Sequence, residues 1–217
     1  MTKSLKKILS FLLIVCLGVL GRIFFVNYIA VPNFEIVSSL ALLSGFYLGG
    51  VFSFIAPLLI IFLSDLFIGN NAIIFFTWTA FGLIGLMGLF MKKLHKGRPP
   101  KNSGVQFWGG LPLTILQAPI FGIFASCFFF LFTNFGWWVL SGMYPYSLQG
   151  LFACYVNGIP FFKTNLLGNL ILTPLVFGAF FYLKKTIGQT SQKNLSSVLR
   201  RSALCFLKKY DFIRQRH

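Results

Sequence analysis

The stretch IIFLSDLFIGN, residues 60–70, decides how this chain is read. It is as apolar as a membrane span, yet it holds Asp65, one of only three acidic residues in the sequence. A charge in hydrocarbon costs at least about 2.5 kcal/mol on insertion scales, so such a residue faces the fold interior and meets a partner there.

The rest of the composition agrees with that setting. The chain is 57% hydrophobic, 18% aromatic and 10% charged, with a mean hydropathy of +0.82. Those values lie far from soluble-domain averages. Several runs reach the roughly 20 residues that cross a hydrocarbon core. The expected fold is an all-α integral membrane protein with six transmembrane helices near 8–30, 36–49, 51–68, 73–91, 107–132 and 165–183. Gly49-Gly50 separates the second from the third, and GNN at 69–71 separates the third from the fourth. Residues 1–183 then form one membrane domain and 184–217 a basic tail.

The formal charge of +16 raises nucleic acid as a partner, but its distribution reports topology first. Lys3, Lys6 and Lys7 precede the first apolar run, five basic residues lie in MKKLHKGRPPK, and nine follow Leu183. Such clusters are what the positive-inside rule produces. With both termini and the 92–104 loop cytoplasmic, seventeen of the 19 basic residues fall on the inner face of a bacterial membrane. The start, MTKSLKKILSFLLIVCLGVLG, also resembles a signal peptide, but apolar character continues past Arg22 through IFFVNYIAV, which favours a retained span. The tail alternates apolar and basic residues, as does a helix lying on anionic lipid; a protein or RNA partner is the weaker reading.

Between the fifth and sixth spans, TNFGWWVLSGMYPYSLQGLFACYVNGIPFFK is too apolar for a hydrated loop. Leu148, Leu151, Phe152, Tyr155, Val156 and Ile159 recur at helical spacing, so a short amphipathic helix over 147–158 is expected across the outer mouth. Trp137, Trp138, Tyr144 and Tyr146 suit the headgroup level, either as a plain aromatic belt or as the rim of a site.

Outside the basic clusters and Asp211, four charges remain: Arg22, Glu35, Asp65 and Lys163. At about 1.5 Å per residue, Arg22 and Asp65 both lie roughly 21 Å into their spans. Matched depth implies that they pair or share a ligand. Asn33, Asn134, Asn157, Asn165 and Asn169 gather at the same end, the last two on one helix face. Few polar groups converging among aromatics are the pattern of a small-molecule site. The residues expected to bind substrate are Arg22, Asn33, Glu35, Asp65, Asn134, Trp137, Trp138, Tyr155, Asn157, Lys163, Asn165 and Asn169.

No Walker A loop, GxSxG, HExxH or CxxC occurs, and His95 and His217 lie far from that end, so neither an enzyme nor a cofactor or metal is expected. Cys16, Cys127, Cys154 and Cys205 read as small apolar fillers. Gly45, Gly82, Gly85 and Gly88 are expected to let helix backbones approach closely.

Together, Arg22 near the end of span one, PNF, SDLF-x-G, TNFG-x-W and CY-x-N-x-IPFF-x-x-NLLG-N occur in an order that resembles a family of six-span bacterial proteins. That family is grouped with the substrate-capture (S) components of energy-coupling-factor transporters. The resemblance implies capture of a vitamin-like solute near the outer face, with a transmembrane coupling subunit and cytoplasmic ATPases as partners beside membrane lipid. It implies pocket roles for Arg22, Asn33, Asp65, Asn134, Trp137, Asn157, Asn165 and Asn169. A structural or assembly protein whose polar end docks a partner is the competing expectation.

Overall fold

The structure, a computed structural model, describes residues 3–69, 72–96 and 113–214. The described residues form six α-helices: α1 Lys3–Phe24, α2 Val37–Tyr47, α3 Phe52–Ile68, α4 Ile74–Lys96, α5 Leu113–Leu140 and α6 Leu148–Arg214. A π-helical turn, Phe25–Ile29, extends α1, and no strand occurs among the described residues. Asn70, Asn71, Pro112, His217 and most of the 92–104 loop lie outside the described residues, as do most side chains of the basic tail.

Helix boundaries follow the glycines. Gly49 and Gly50 both take left-handed backbone angles, φ +65° and +60°, which a side chain disfavours. The N–H groups of Leu48 and Gly49 close on the Ser44 carbonyl at 2.9 and 3.2 Å, and the chain turns into α3. Gly69, at φ +83°, ends α3.

Length separates the helices into two kinds. Ser4–Ile29, Ile74–Leu94, Gln117–Leu140 and Leu148–Lys184 are long and apolar enough to cross a membrane; Val37–Tyr47 and Phe52–Ile68 are shorter. With 11 residues, α2 spans only about 16 Å against a hydrocarbon core of about 30 Å. Among the described residues, four helices are therefore of membrane-crossing length, and length alone does not carry the six spans expected. α2 is instead a core helix, buried continuously from Val37 to Phe46 and packed against α1, α3, α4 and α5. Its contact with α4 is backbone on backbone. A methyl group at Gly45 would enter the Gly85 carbonyl, and one at Gly88 would enter the Leu42 carbonyl. The small residues of both helices thus serve the close packing expected of them.

The separate amphipathic helix expected over 147–158 does not exist as an independent element. Helix α6 runs unbroken from Leu148 past Pro160 and Pro174. Proline removes one backbone hydrogen bond and kinks a helix, and a long apolar helix tolerates this within packed surroundings.

The faces of α6 invert the soluble pattern. Asn165, Asn169 and Thr173, four residues apart, are 3%, 1% and 0% exposed, whereas Leu167, Ile171 and Leu175 are 55%, 51% and 61% exposed. The buried polar stripe is tied to the bundle. Thr173 and Ser39 hydroxyls lie 2.9 Å apart, and the Asn169 amide donates to Ser126 Oγ at 2.8 Å. Polar groups inside and leucines outside are the arrangement that hydrocarbon, unlike water, rewards.

By contact density the chain divides into Met1–Phe177 and Gly178–His217. The first unit holds the bundle and the candidate site. The second is helical through Arg214.

Candidate functional site

A cavity of about 910 Å³ opens at the end of the bundle where α1 gives way to α2 and α5 to α6. Its rim is exposed at Asn33, Met143 and Asn157, and its depth is buried at Phe81, Thr133 and Asn165.

The charged centre lies on α1 and α3. Arg22 Nη1 forms an ion pair with Asp65 Oδ1 and also donates to Ser64 Oγ at 2.6 Å. The second carboxylate oxygen of Asp65 accepts from the Trp78 indole N–H at 2.9 Å. Ser64 precedes Asp65 in the sequence and passes its own proton to the Ile60 carbonyl, 2.7 Å away, which leaves its oxygen to accept from Arg22. The pair expected from matched depth is therefore formed. Its two members play different parts: Arg22 is a wall residue of the cavity and Asp65 is not. Asp65 holds Arg22 in place from behind.

The segment from Ala30 to Glu35 forms one side of the cavity. Ala30 and Asn33 both sit at positive φ, 53° and 58°. Asparagine tolerates that region and alanine does so at a cost, so the conformation is held by its surroundings. Two bonds from α6 hold it. Thr164 Oγ1 donates to the Pro32 carbonyl at 2.5 Å, and the Asn165 amide donates to the Asn33 carbonyl at 3.2 Å.

Glu35 ends this segment, one residue before the N-cap Ile36, and its side chain reaches the first turn of α2. Its carboxylate accepts from the Val37 N–H at 2.5 Å and from the Ser38 hydroxyl at 2.9 Å, satisfying donors that a helix start leaves open. Burial pushes its carboxyl above the usual carboxylate range, against the pull of these bonds and of the Arg22 charge.

Across the cavity, α5 and α6 contribute Asn134, Trp137, Asn157 and Asn165. The Asn134 amide donates to the Phe130 carbonyl at 2.8 Å. That of Asn157 donates to the Tyr144 hydroxyl at 3.1 Å. Phe81 and Phe129, ring centroids 4.9 Å apart, form an aromatic floor.

Of the residues expected from sequence, Arg22, Asn33, Glu35, Asn134, Trp137, Asn157 and Asn165 meet at the cavity, and the others do not line it. Asn169 lies one turn further along α6 and donates to Asn165 Oδ1 at 3.3 Å. Trp138 gives its N–H to the Pro145 carbonyl at 3.0 Å. Tyr155 spends its hydroxyl on the Leu131 carbonyl at 2.9 Å. Lys163 is exposed. Sequence reasoning missed Thr77, Phe81, Phe129 and Phe161 as wall residues, since the first three read as ordinary apolar-span residues and Phe161 as part of the apolar segment between spans five and six. Among the described residues no three His, Cys, Asp or Glu side chains gather as metal ligands.

Fold and site together define an all-helical chain whose apolar, membrane-length helices enclose a cavity of amides, aromatics and one guanidinium. The chain belongs to the family of unknown function DUF6580, which it matches over residues 2–193. No curated protein and no solved structure matches it.

Proposed function

We propose that this chain is a membrane-embedded solute-binding protein that captures a small, vitamin-like molecule in the cavity beside Arg22 and helps it cross the bilayer. The cavity itself carries the reading. At about 910 Å³ it falls within the size of small-molecule sites, and it pairs a few oriented polar groups with aromatic walls, as such sites do. An aligning pair that only joined helices would need no hollow beside it.

The exposed leucines of α1 and α6 support a lipid surround. The grouping of Lys and Arg near the termini and in the 92–104 loop supports cytoplasmic termini, with the cavity toward the exterior. On this reading the protein would act as the S components of energy-coupling-factor transporters do. A transmembrane coupling subunit and cytoplasmic ATPases would supply the driving force, and the role of this chain is capture and not catalysis.

Thermal melting of the detergent-purified chain against a panel of vitamins and their precursors tests this reading. A captured solute raises the midpoint in proportion to the logarithm of its concentration. A panel that leaves the midpoint unmoved throughout contradicts capture and favours a structural or assembly role.

A further inference from the structure

We propose that the cavity selects an uncharged, planar heterocycle that presents a carbonyl to Arg22 and N–H or O–H groups to Asn134 and Asn157, and that it discriminates against the corresponding carboxylates. This deepens the solute-capture reading and rests on it.

The first observation is which hydrogen-bonding atoms the protein has already used. Arginine carries five N–H donors. Nη1 spends its two on Ser64 and Asp65. Nε and Nη2 make no hydrogen bond among the described residues, although Arg22 walls the cavity. The amides of Asn134 and Asn157 each donate one N–H within the protein, and their Oδ1 atoms accept nothing among the described residues. The Tyr144 hydroxyl accepts from Asn157, and its own proton has no acceptor among the described residues. An occupant thus meets guanidinium donors on one side and amide acceptors on the other. A lactam, imide or ring amide offers the complementary set.

The second observation is charge. A guanidinium with an open edge also suits a carboxylate in bidentate geometry. Here the positive charge is already balanced by Asp65, whose side chain is 6% exposed. The next ionisable group on the wall is a second carboxyl, that of Glu35. Among the described residues no further Lys or Arg lines the cavity. An anion would therefore enter a site with no unmatched cation and shed its hydration without compensation. A neutral ring gives up little on entry, and its faces meet Phe81, Phe129, Trp137 and Phe161.

Equilibrium dialysis separates the possibilities. The full-length chain in detergent is dialysed against an equimolar mixture of amide and acid counterparts, including nicotinamide with nicotinate and uracil with orotate, and retained compounds are quantified by mass spectrometry. Retention of uncharged ring amides over their acids by tenfold or more is the expected result. Asn157 is exposed at the rim, so Asn157→Ala leaves the bundle intact while weakening that retention about fivefold. Preferential retention of the acids, or equal retention of both, overturns charge selection and leaves solute capture standing. Retention of neither class removes the capture reading and the selectivity with it.

Discussion

Arg22 on α1 and Asp65 on α3, 43 positions apart in the chain, form an ion pair in which only the arginine reaches the cavity. The aspartate is surrounded by α1, α3 and α4 and takes a second bond from Trp78. A carboxylate in an apolar helix is thus explained by what it holds: it fixes a guanidinium at the wall of a hollow.

Removing that carboxylate leaves a partly buried cation unmatched. Asp65→Ala is expected to cost about 3 kcal/mol, the scale of breaking such a pair, and to lower the thermal midpoint in detergent. The exchange Arg22→Asp with Asp65→Arg recovers part of the loss at most, because the Trp78 N–H then faces a cation. A midpoint for Asp65→Ala equal to that of the native chain would show that the pair contributes nothing to the fold.

Glu35 provides a pH signature. Burial raises its folded-state pKa above the ordinary value of 4.5, so the folded chain holds the proton more tightly than the unfolded one. Stability from this group is fully present below pH 4.5 and is lost as pH rises through the folded-state pKa. The thermal midpoint should fall across that window, and Glu35→Gln should flatten the decline. A midpoint rising with pH over the same window, abolished by Glu35→Gln, would reverse the assignment.

Close backbone packing makes Gly88 intolerant of even one methyl group. The added Cβ of Gly88→Ala would meet the Leu42 backbone, which cannot move aside as a flexible side chain can. A loss of about 1–3 kcal/mol is expected, with α2 and α4 forced apart. Gly178→Ala is the control. Nothing lies within 4 Å of its added Cβ, and alanine in a helix gains about 0.5–1 kcal/mol. Both are read as shifts in the thermal midpoint, and equal behaviour of the two would contradict the packing described.

Much of this was legible in the residues. The shared depth of Arg22 and Asp65 foretold their pairing, Gly49-Gly50 marked a real break, and the four-residue spacing of Asn165 and Asn169 placed them on one buried face. Other features were hidden for physical reasons. Whether Pro160 ends a helix depends on what packs around the opened backbone, which local sequence does not carry. An apolar run at α2 looks the same whether it spans a membrane or fills a core; only its 11-residue length decides. Phe81, Phe129 and Thr77 become cavity walls because α4 and α5 meet there, a long-range relation invisible in either segment alone. Lys163 and Trp138 shared the right end of the molecule with the site, but their positions turn them away from it.

Native mass spectrometry of the full-length chain, released from detergent after incubation with a pool of vitamins and ring amides, tests capture most directly. One small molecule bound per chain is expected, and it should be absent from Asn157→Trp, whose indole would fill the rim of the cavity. A native chain that emerges only at its own mass from every pool, or an Asn157→Trp chain that retains the same molecule equally well, would contradict solute capture at this site.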